Sequence, residues 1–171
     1  MIPVYMSDKA YDEIVAALRA SYKDACVLYI DRIENAGLAA RYKAYCDKLT
    51  AAGVPVNEHR LFHGTRANVI ETIAEEGYKA SKNHRAAFGP GTYFSPQGSM
   101  SSAYTDANSS DESYMFVNRV ALGRNKITSG GGRILDDTAD SGGDGKSIFV
   151  VKEDAAALPE YIVCFHKTAP K

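Results

Sequence analysis

The sequence predicts an α+β fold on three observations. Helical spacing leads the chain, β-rich segments dominate the remainder, and neither an internal repeat nor a linker divides it. Residues 8–24 carry Ala10, Ile14, Ala17, Leu18 and Tyr22 at near-helical spacing, with Ser7 and Asp8 as N-cap candidates. Residues 26–30, CVLYI, are short and β-rich and predict a strand. Residues 35–52 predict a second helix, with Leu38, Tyr42, Tyr45, Cys46 and Leu49 on one side and Gly53 as its stop. Pro55 opens an extended approach to a strand at 60–63. Residues 65–76 predict a third helix, with Val69, Ile70, Ile73 and Ala74 inward and Gly77 ending it. Residues 82–91 are polar and hold Gly and Pro, so they read as a loop. A short strand at 92–95 and a short helix at 99–107 follow. Residues 114–122, YMFVNRVAL, keep Phe116, Val120 and Leu122 in phase as a strand does. The glycine- and aspartate-bearing stretch 126–145 reads as a long loop, a feature often functional in compact domains. Residues 148–151 and 161–165 predict the last two strands, joined by 152–160.

At 171 residues the chain has the length of one domain with a proper core, expected to run over 1–171. Within it, 1–55 reads as mostly helical and 56–168 as a β core. The net charge is −1, acidic and basic residues interleave, and no basic field argues for nucleic acid or an anionic membrane. The first residues lack the pattern of a signal peptide, and no apolar run reaches the length of a membrane span. Cys26, Cys46 and Cys164 are odd in number and widely spaced, which disfavours a disulfide framework and suits a reducing, intracellular compartment, cytoplasmic or nuclear. With His59, His63, His84 and His166 they form no zinc pattern, so no metal is expected. Neither GxGxxG after a strand nor GxSxG is present, and the glycine run at 130–132 lacks the Lys-Ser/Thr of a P-loop.

Two segments carry chemistry. In Leu61-Phe-His-Gly-Thr65 a strand ends in histidine, glycine and a threonine able to cap the next helix. The glycine lets a ligand approach the backbone, whose N–H and C=O suit a carboxamide clamp. Taken alone, the segment also reads as a strand-to-helix turn with a buried histidine. The second segment is Gly89-Pro-Gly-Thr-Tyr-Phe-Ser95, followed by Ser101 and Tyr104. Two rings and a hydroxyl suit a flat heterocycle bearing an amide, although each tyrosine alone reads as a core aromatic.

Together the pieces are more specific. His-Gly-Thr, about thirty residues, Gly-x-Tyr-Phe-Ser, then Ser-x-x-Tyr ahead of a strand, resembles the poly(ADP-ribose) polymerase catalytic domain. The approach NEHRLFHGT and the ending EYIVCF are also similar to that family, so the resemblance covers residues 26–168. It implies an ADP-ribosyltransferase fold: a split mixed or antiparallel sheet, N-terminal helices and a short helix after the first core strand. It implies NAD+ as co-substrate. His63 would bond the adenosine ribose, Gly64 would clamp the nicotinamide carboxamide with Ser101 adding a hydroxyl, and Thr65 would adjoin the clamp. Tyr104 would stack on the nicotinamide, Tyr93 would close the other side of its riboside, and the loop bearing Arg85 would cover the adenine.

Polymerising members have a glutamate at the start of the penultimate strand. Glu160, in PEYIV, competes for that place, but too few residues follow it for the family's last strand. The register that leaves room puts Ile148 there. A carboxylate at that point stabilises charge on the ribose carbon and activates an incoming hydroxyl; isoleucine does neither. The resemblance therefore implies a mono-ADP-ribosyltransferase with His63, Tyr93 and Ile148 at the catalytic positions and a protein as acceptor. In similar transferases an acidic acceptor supplies the missing carboxylate. The stretch 126–145 would be the acceptor loop, its aspartates open to automodification or simply solvated. A catalytically silent NAD+- or ADP-ribose-binding module is the second class, although inactive relatives commonly lose the histidine. A transferase acting on nucleic acid is the third, disfavoured by the charge. No membrane is expected as partner, and the chain is expected to be a monomer.

Overall fold

The computed structural model describes residues 1–82, 88–128 and 138–167. In chain order its elements are β1 (Ile2–Val4), α1 (Lys9–Ser21), β2 (Cys26–Arg32), α2 (Ala36–Ala51), β3 (Glu58–Thr65), a 3-10 turn (Ala67–Val69) and α3 (Ile70–Glu76). Then come β4 (Thr92–Phe94), α4 (Gly98–Ser102), β5 (Ser113–Ala121), β6 (Asn125–Ile127), β7 (Ser141–Gly143), β8 (Phe149–Val151) and β9 (Ala157–His166). The strands form two sheets, one of five in the order β1-β2-β9-β5-β3 and one of four in the order β4-β8-β7-β6. The first is antiparallel throughout; the second contains the parallel pair β6–β7. One bridge between Phe62 and Ser95 ties β3 to the segment after β4, across the split. The α+β expectation and the split sheet hold.

Burial explains the sheet's order. β5 lies between β9 and β3 and is enclosed on both faces, so Met115, Phe116, Val117 and Val120 are all buried and alternation fades. On one face α1 packs Ile14 and Leu18 against Phe62, Met115, Val117, Val163 and Phe165. Burying each such aliphatic side chain contributes about 1.5–3 kcal/mol. On the other face α3 packs Ile70 against Phe116 and Ile162, while α2 packs Tyr42, Tyr45 and Leu49 against Leu61, Val120, Phe149 and Val151.

Several expectations are corrected. β1 was not foreseen; it and β2 belong to the same sheet as β3, so the N-terminal part supplies strands as well as helices. Asp8 stands at the N-cap of α1 but makes no side-chain cap there; its carboxylate accepts from Tyr5 N–H at 3.0 Å instead. Asn35 does cap α2, accepting from Leu38 N–H at 3.1 Å. Thr65 is the last residue of β3 and caps nothing; the chain turns through Ala67–Val69 before α3 begins at Ile70. The N–H of Ala67 is taken by the Asp106 carboxylate at 3.0 Å. α4 ends at Ser102 rather than 107, because Ser102 and Thr105 hydroxyls bond the carbonyls of Ser99 and Ser102 and compete with helix continuation. Part of the stretch expected as loop is β6 and β7; residues 129–137 of it lie outside the described residues.

Candidate active site

The candidate residues gather where the two sheets meet. His63 lies in β3 opposite Phe116, half-buried, and its Nδ1 is 2.7 Å from the carbonyl oxygen of Tyr93 in β4. A carbonyl only accepts, so Nδ1 carries the proton and Nε2 is left as an acceptor. Burial pushes the His63 pKa below the usual imidazole value, and the Tyr93 carbonyl offsets part of that. The ring is therefore neutral near pH 7. Its edge rests against Tyr78, 4.9 Å between centroids, and Phe94, 5.5 Å.

Behind His63 stands a buried network that sequence reading missed. Tyr78 donates its hydroxyl to Asn118 Oδ1 at 2.6 Å, and Asn118 Nδ2 donates to the Leu61 carbonyl at 3.1 Å. Asn118 has no exposure and its partners satisfy it. The signal was an amide among the apolar residues of β5, where a buried polar group must find partners.

Strand parity sets the direction of Gly64. Phe62 exchanges both backbone bonds with Ser95, at 2.7 and 3.0 Å, so its N–H and C=O point away from β5. Two residues on, Gly64 presents its N–H and C=O to the same edge. A Cβ on Gly64 would lie 1.8 Å from the Ser101 carbonyl oxygen, so the glycine is what lets α4 sit against β3. Ser101 is buried at that contact, and Thr65, also buried, follows opposite Tyr114. Tyr104 lies one turn beyond Ser101, its N–H bonded to the Ser101 carbonyl at 3.1 Å. Its side chain is 68% exposed, yet near enough to act electrostatically on the Tyr93 hydroxyl.

Tyr93 is half-buried in β4 opposite Val150 of β8. Its hydroxyl donates to the Gly89 carbonyl at 2.7 Å and accepts from Phe88 N–H at 3.0 Å. Burial is the main cause of its raised pKa, so the phenol stays protonated at neutral pH. Ile148 immediately precedes β8 and packs with Phe88, Val150 and Tyr93 in one apolar cluster. The turn that carries it is held by Asp144, whose Oδ1 accepts from the N–H groups of Lys146, Ser147 and Ile148 at 2.8, 2.7 and 2.9 Å. Burial alone would raise the Asp144 pKa; those N–H groups outweigh it and the net shift is downward. Gly143 completes the turn with φ at 150°, and a Cβ there would lie 1.9 Å from the Ile148 carbonyl oxygen.

Glu160 lies elsewhere. It is in β9, the last strand, and its carboxylate is ion-paired with Arg119 at 2.5 Å. Arg85 falls outside the described residues, as do His84 and the glycine run 130–132. Cavities of about 190 Å³ beside Tyr45 and Lys48, and 460 Å³ beside Asn35 and Tyr161, do not touch this site. Among the described residues no three His, Cys, Asp or Glu side chains gather as for a metal ion. No helix among them is long and apolar enough to cross a membrane.

A split sheet with a neutral histidine tied to a tyrosine strand across the split is the arrangement of an ADP-ribosyltransferase domain. Residues 8–138 match the family model described as poly(ADP-ribose) polymerase catalytic domain, well over half the chain, and the chain belongs to that family. It is 29% identical over 82% of its length to a probable poly(ADP-ribose) polymerase of Dictyostelium discoideum. It is 27% identical over 98% of its length to protein mono-ADP-ribosyltransferase PARP14 of Homo sapiens, and 27% over 95% to PARP12 of Mus musculus, which bears the same description. The chain spans 44%, 10% and 25% of those three proteins.

Proposed function

We propose that the chain acts as one catalytic domain that transfers single ADP-ribose units from NAD+ to a protein acceptor and releases nicotinamide. The observation that carries this reading is the bond from His63 to the Tyr93 carbonyl, with an apolar residue rather than a carboxylate at position 148 beside Tyr93. Names of relatives add support, since PARP14 and PARP12 are described as mono-ADP-ribosyltransferases.

In this reading the Nε2 of His63 accepts a hydroxyl of the adenosine ribose. Gly64 offers one donor and one acceptor on an open strand edge, the pair a carboxamide needs. Ser101 adds its hydroxyl, Thr65 supports the clamp, and the exposed ring of Tyr104 stacks on the nicotinamide. The ring of Tyr93 closes the opposite side. Arg85 is assigned to the adenine end. Fixing both ends of NAD+ orients the ribose carbon for attack, and orientation supplies much of the rate. As the C–N bond to nicotinamide breaks, charge grows on that carbon and nothing at position 148 answers it. Chain growth needs a base for the incoming ribose hydroxyl, which Ile148 is not. The chemistry needs no metal.

Incubation with labelled NAD+ followed by intact mass analysis tests this. Discrete additions of single ADP-ribose units, on the protein or an added acceptor, are expected, and Ile148→Glu alone is expected not to convert them into chains. A ladder from the wild-type protein would show that a carboxylate elsewhere serves. Bound NAD+ with no incorporation would make the chain a silent binding module.

A further inference from the structure

Phe88 is buried, 8% exposed, in the cluster that also holds Val150, Ile148 and Tyr93. Its placement is not left to packing alone. The Tyr93 hydroxyl receives its backbone N–H and donates to the next carbonyl, Gly89, so both residues are held at that hydroxyl. Gly89 has φ at 92°, a conformation that suits the sharp turn there. On the other side, Asp144 fixes the turn that presents Ile148. Two hydrogen-bonded turns thus hold an aromatic and a branched aliphatic side chain in one wall beside Tyr93. The wall's one polar atom, the Tyr93 hydroxyl oxygen, has its proton and a lone pair already engaged. Water meets hydrocarbon side chains there and at most the one lone pair the hydroxyl keeps, so it is held weakly.

We propose that Phe88 is a specificity-determining residue which, with Ile148, keeps water from the ribose carbon and so sets the partition between transfer and hydrolysis. The inference rests on the transferase reading above. In either reaction the ribose–nicotinamide C–N bond breaks and its electron pair leaves on the nicotinamide nitrogen. In transfer the acceptor's nucleophile forms the new bond to the ribose carbon and gives up its proton. In hydrolysis a water oxygen forms that bond, a proton passes to solvent, and free ADP-ribose results. Without a carboxylate at position 148 to direct the acceptor, excluding the commonest competing nucleophile falls to the wall.

The same wall acts on a carboxylate placed within it. In Ile148→Glu the new side chain meets Phe88, Val150 and Tyr93, which desolvate it and hold its pKa above the ordinary glutamate value. Removing Phe88 admits water and lowers that pKa again.

The test measures nicotinamide release and protein-bound ADP-ribose together, for the wild type, Phe88→Ser and Phe88→Leu, with pH–rate profiles for Ile148→Glu and Ile148→Glu/Phe88→Ser. Phe88→Ser is expected to raise the ratio of hydrolysis to transfer about fivefold, the factor that one net hydrogen bond to water is worth. Phe88→Leu, which stays apolar, is expected to keep the wild-type ratio. The acidic limb of the Ile148→Glu profile is expected above the ordinary glutamate value and to move down in the double variant. An unchanged ratio in Phe88→Ser, or an equal rise in Phe88→Leu, overturns the proposal. Should Phe88→Ser fail to fold, an acidic limb of Ile148→Glu at the ordinary glutamate value overturns it independently. A wild-type protein that releases no nicotinamide overturns the transferase reading itself, a result distinct from any shift in partition.

Discussion

Replacing Gly64 with alanine should damage both the fold and the proposed NAD+ site, and the contact between β3 and α4 sets the size of the effect. The new Cβ would stand 1.8 Å from the Ser101 carbonyl oxygen, 2.8 Å from its carbon and 3.2 Å from Thr105 Cγ2. Real Cβ contacts essentially stop at 3.0 Å, so α4 must withdraw by at least 3.0 − 1.8 = 1.2 Å. The obstructing atoms are backbone, so no rotamer change relieves them. Overpacking of this kind costs about 2–3 kcal/mol. For a chain of this length that lowers Tm by roughly 4–12 °C. The same withdrawal carries Ser101 and Tyr104 away from the Gly64 edge, and misplacement near 1 Å costs about 100-fold where orientation matters. Thermal denaturation reads the first effect, and nicotinamide release, with NAD+ titration by calorimetry beside it, reads the second. Gly37→Ala is the control, because its Cβ meets only Asn35 Oδ1 at 3.4 Å inside a helix. It should stabilise by about 0.5 kcal/mol and leave NAD+ affinity unchanged. A Gly64→Ala protein with Tm within about 2 °C of wild type and unaltered NAD+ affinity would refute the reasoning.

Three further outcomes are expected. The His63 pKa is lowered by burial from its ordinary 6.5, so the unfolded chain takes up the proton first. Stability should be full above that value and fall as pH drops through it, and His63→Gln should flatten the decline while weakening NAD+ binding; a parallel decline in both proteins counts against a neutral buried ring. Tyr104→Ala should abolish binding of nicotinamide-mimicking inhibitors and move Tm by no more than about 2 °C, since an exposed side chain contributes within about 0.5 kcal/mol. Asp144→Ala should lose about 1–3 kcal/mol by leaving three N–H groups unmet, with Asp144→Asn recovering part. The Asp144 pKa is lowered on balance, so its contribution is present above the ordinary 3.8 and fades as pH falls below it. Acid titration of unfolding in wild type and Asp144→Asn separates that contribution from the rest.

The main elements were legible because each has a local cause. Periodicity marks α1 and α2, β-branched and aromatic runs mark β5 and β9, and Gly53 and Gly77 end helices in the left-handed region. What escaped is set by partners distant in sequence. β1, β6 and β7 are three residues each and exist because β2, β8 and one another pair with them. Asp106 reaches back to Ala67, and Asn118 answers Tyr78 forty residues away; no window along the chain contains both ends. The Asp144 turn had a local sign, since Asp-Gly-Lys-Ser bonds its own backbone readily, but the spacing of the aspartates alone did not separate it from solvated loop.

Topology bears on the choice between Ile148 and Glu160. Glu160 and Ile148 both sit near the start of a β-rich run, and both runs are short. β9, however, is ten residues long and pairs with β2 and β5, whereas β8 is three residues and pairs with β4 and β7. Only β8 adjoins the strand that carries Tyr93. Glu160 therefore stands in the five-stranded sheet, where Arg119 neutralises it and the Ile33 N–H takes its backbone carbonyl at 2.8 Å. To serve His63 and Tyr93 it would have to leave that ion pair and cross β5 and β3. A carboxylate already paired in one sheet gives no help to charge developing beside the other. The side chains of Phe88, Ile148 and Val150 pack with Tyr93 there instead.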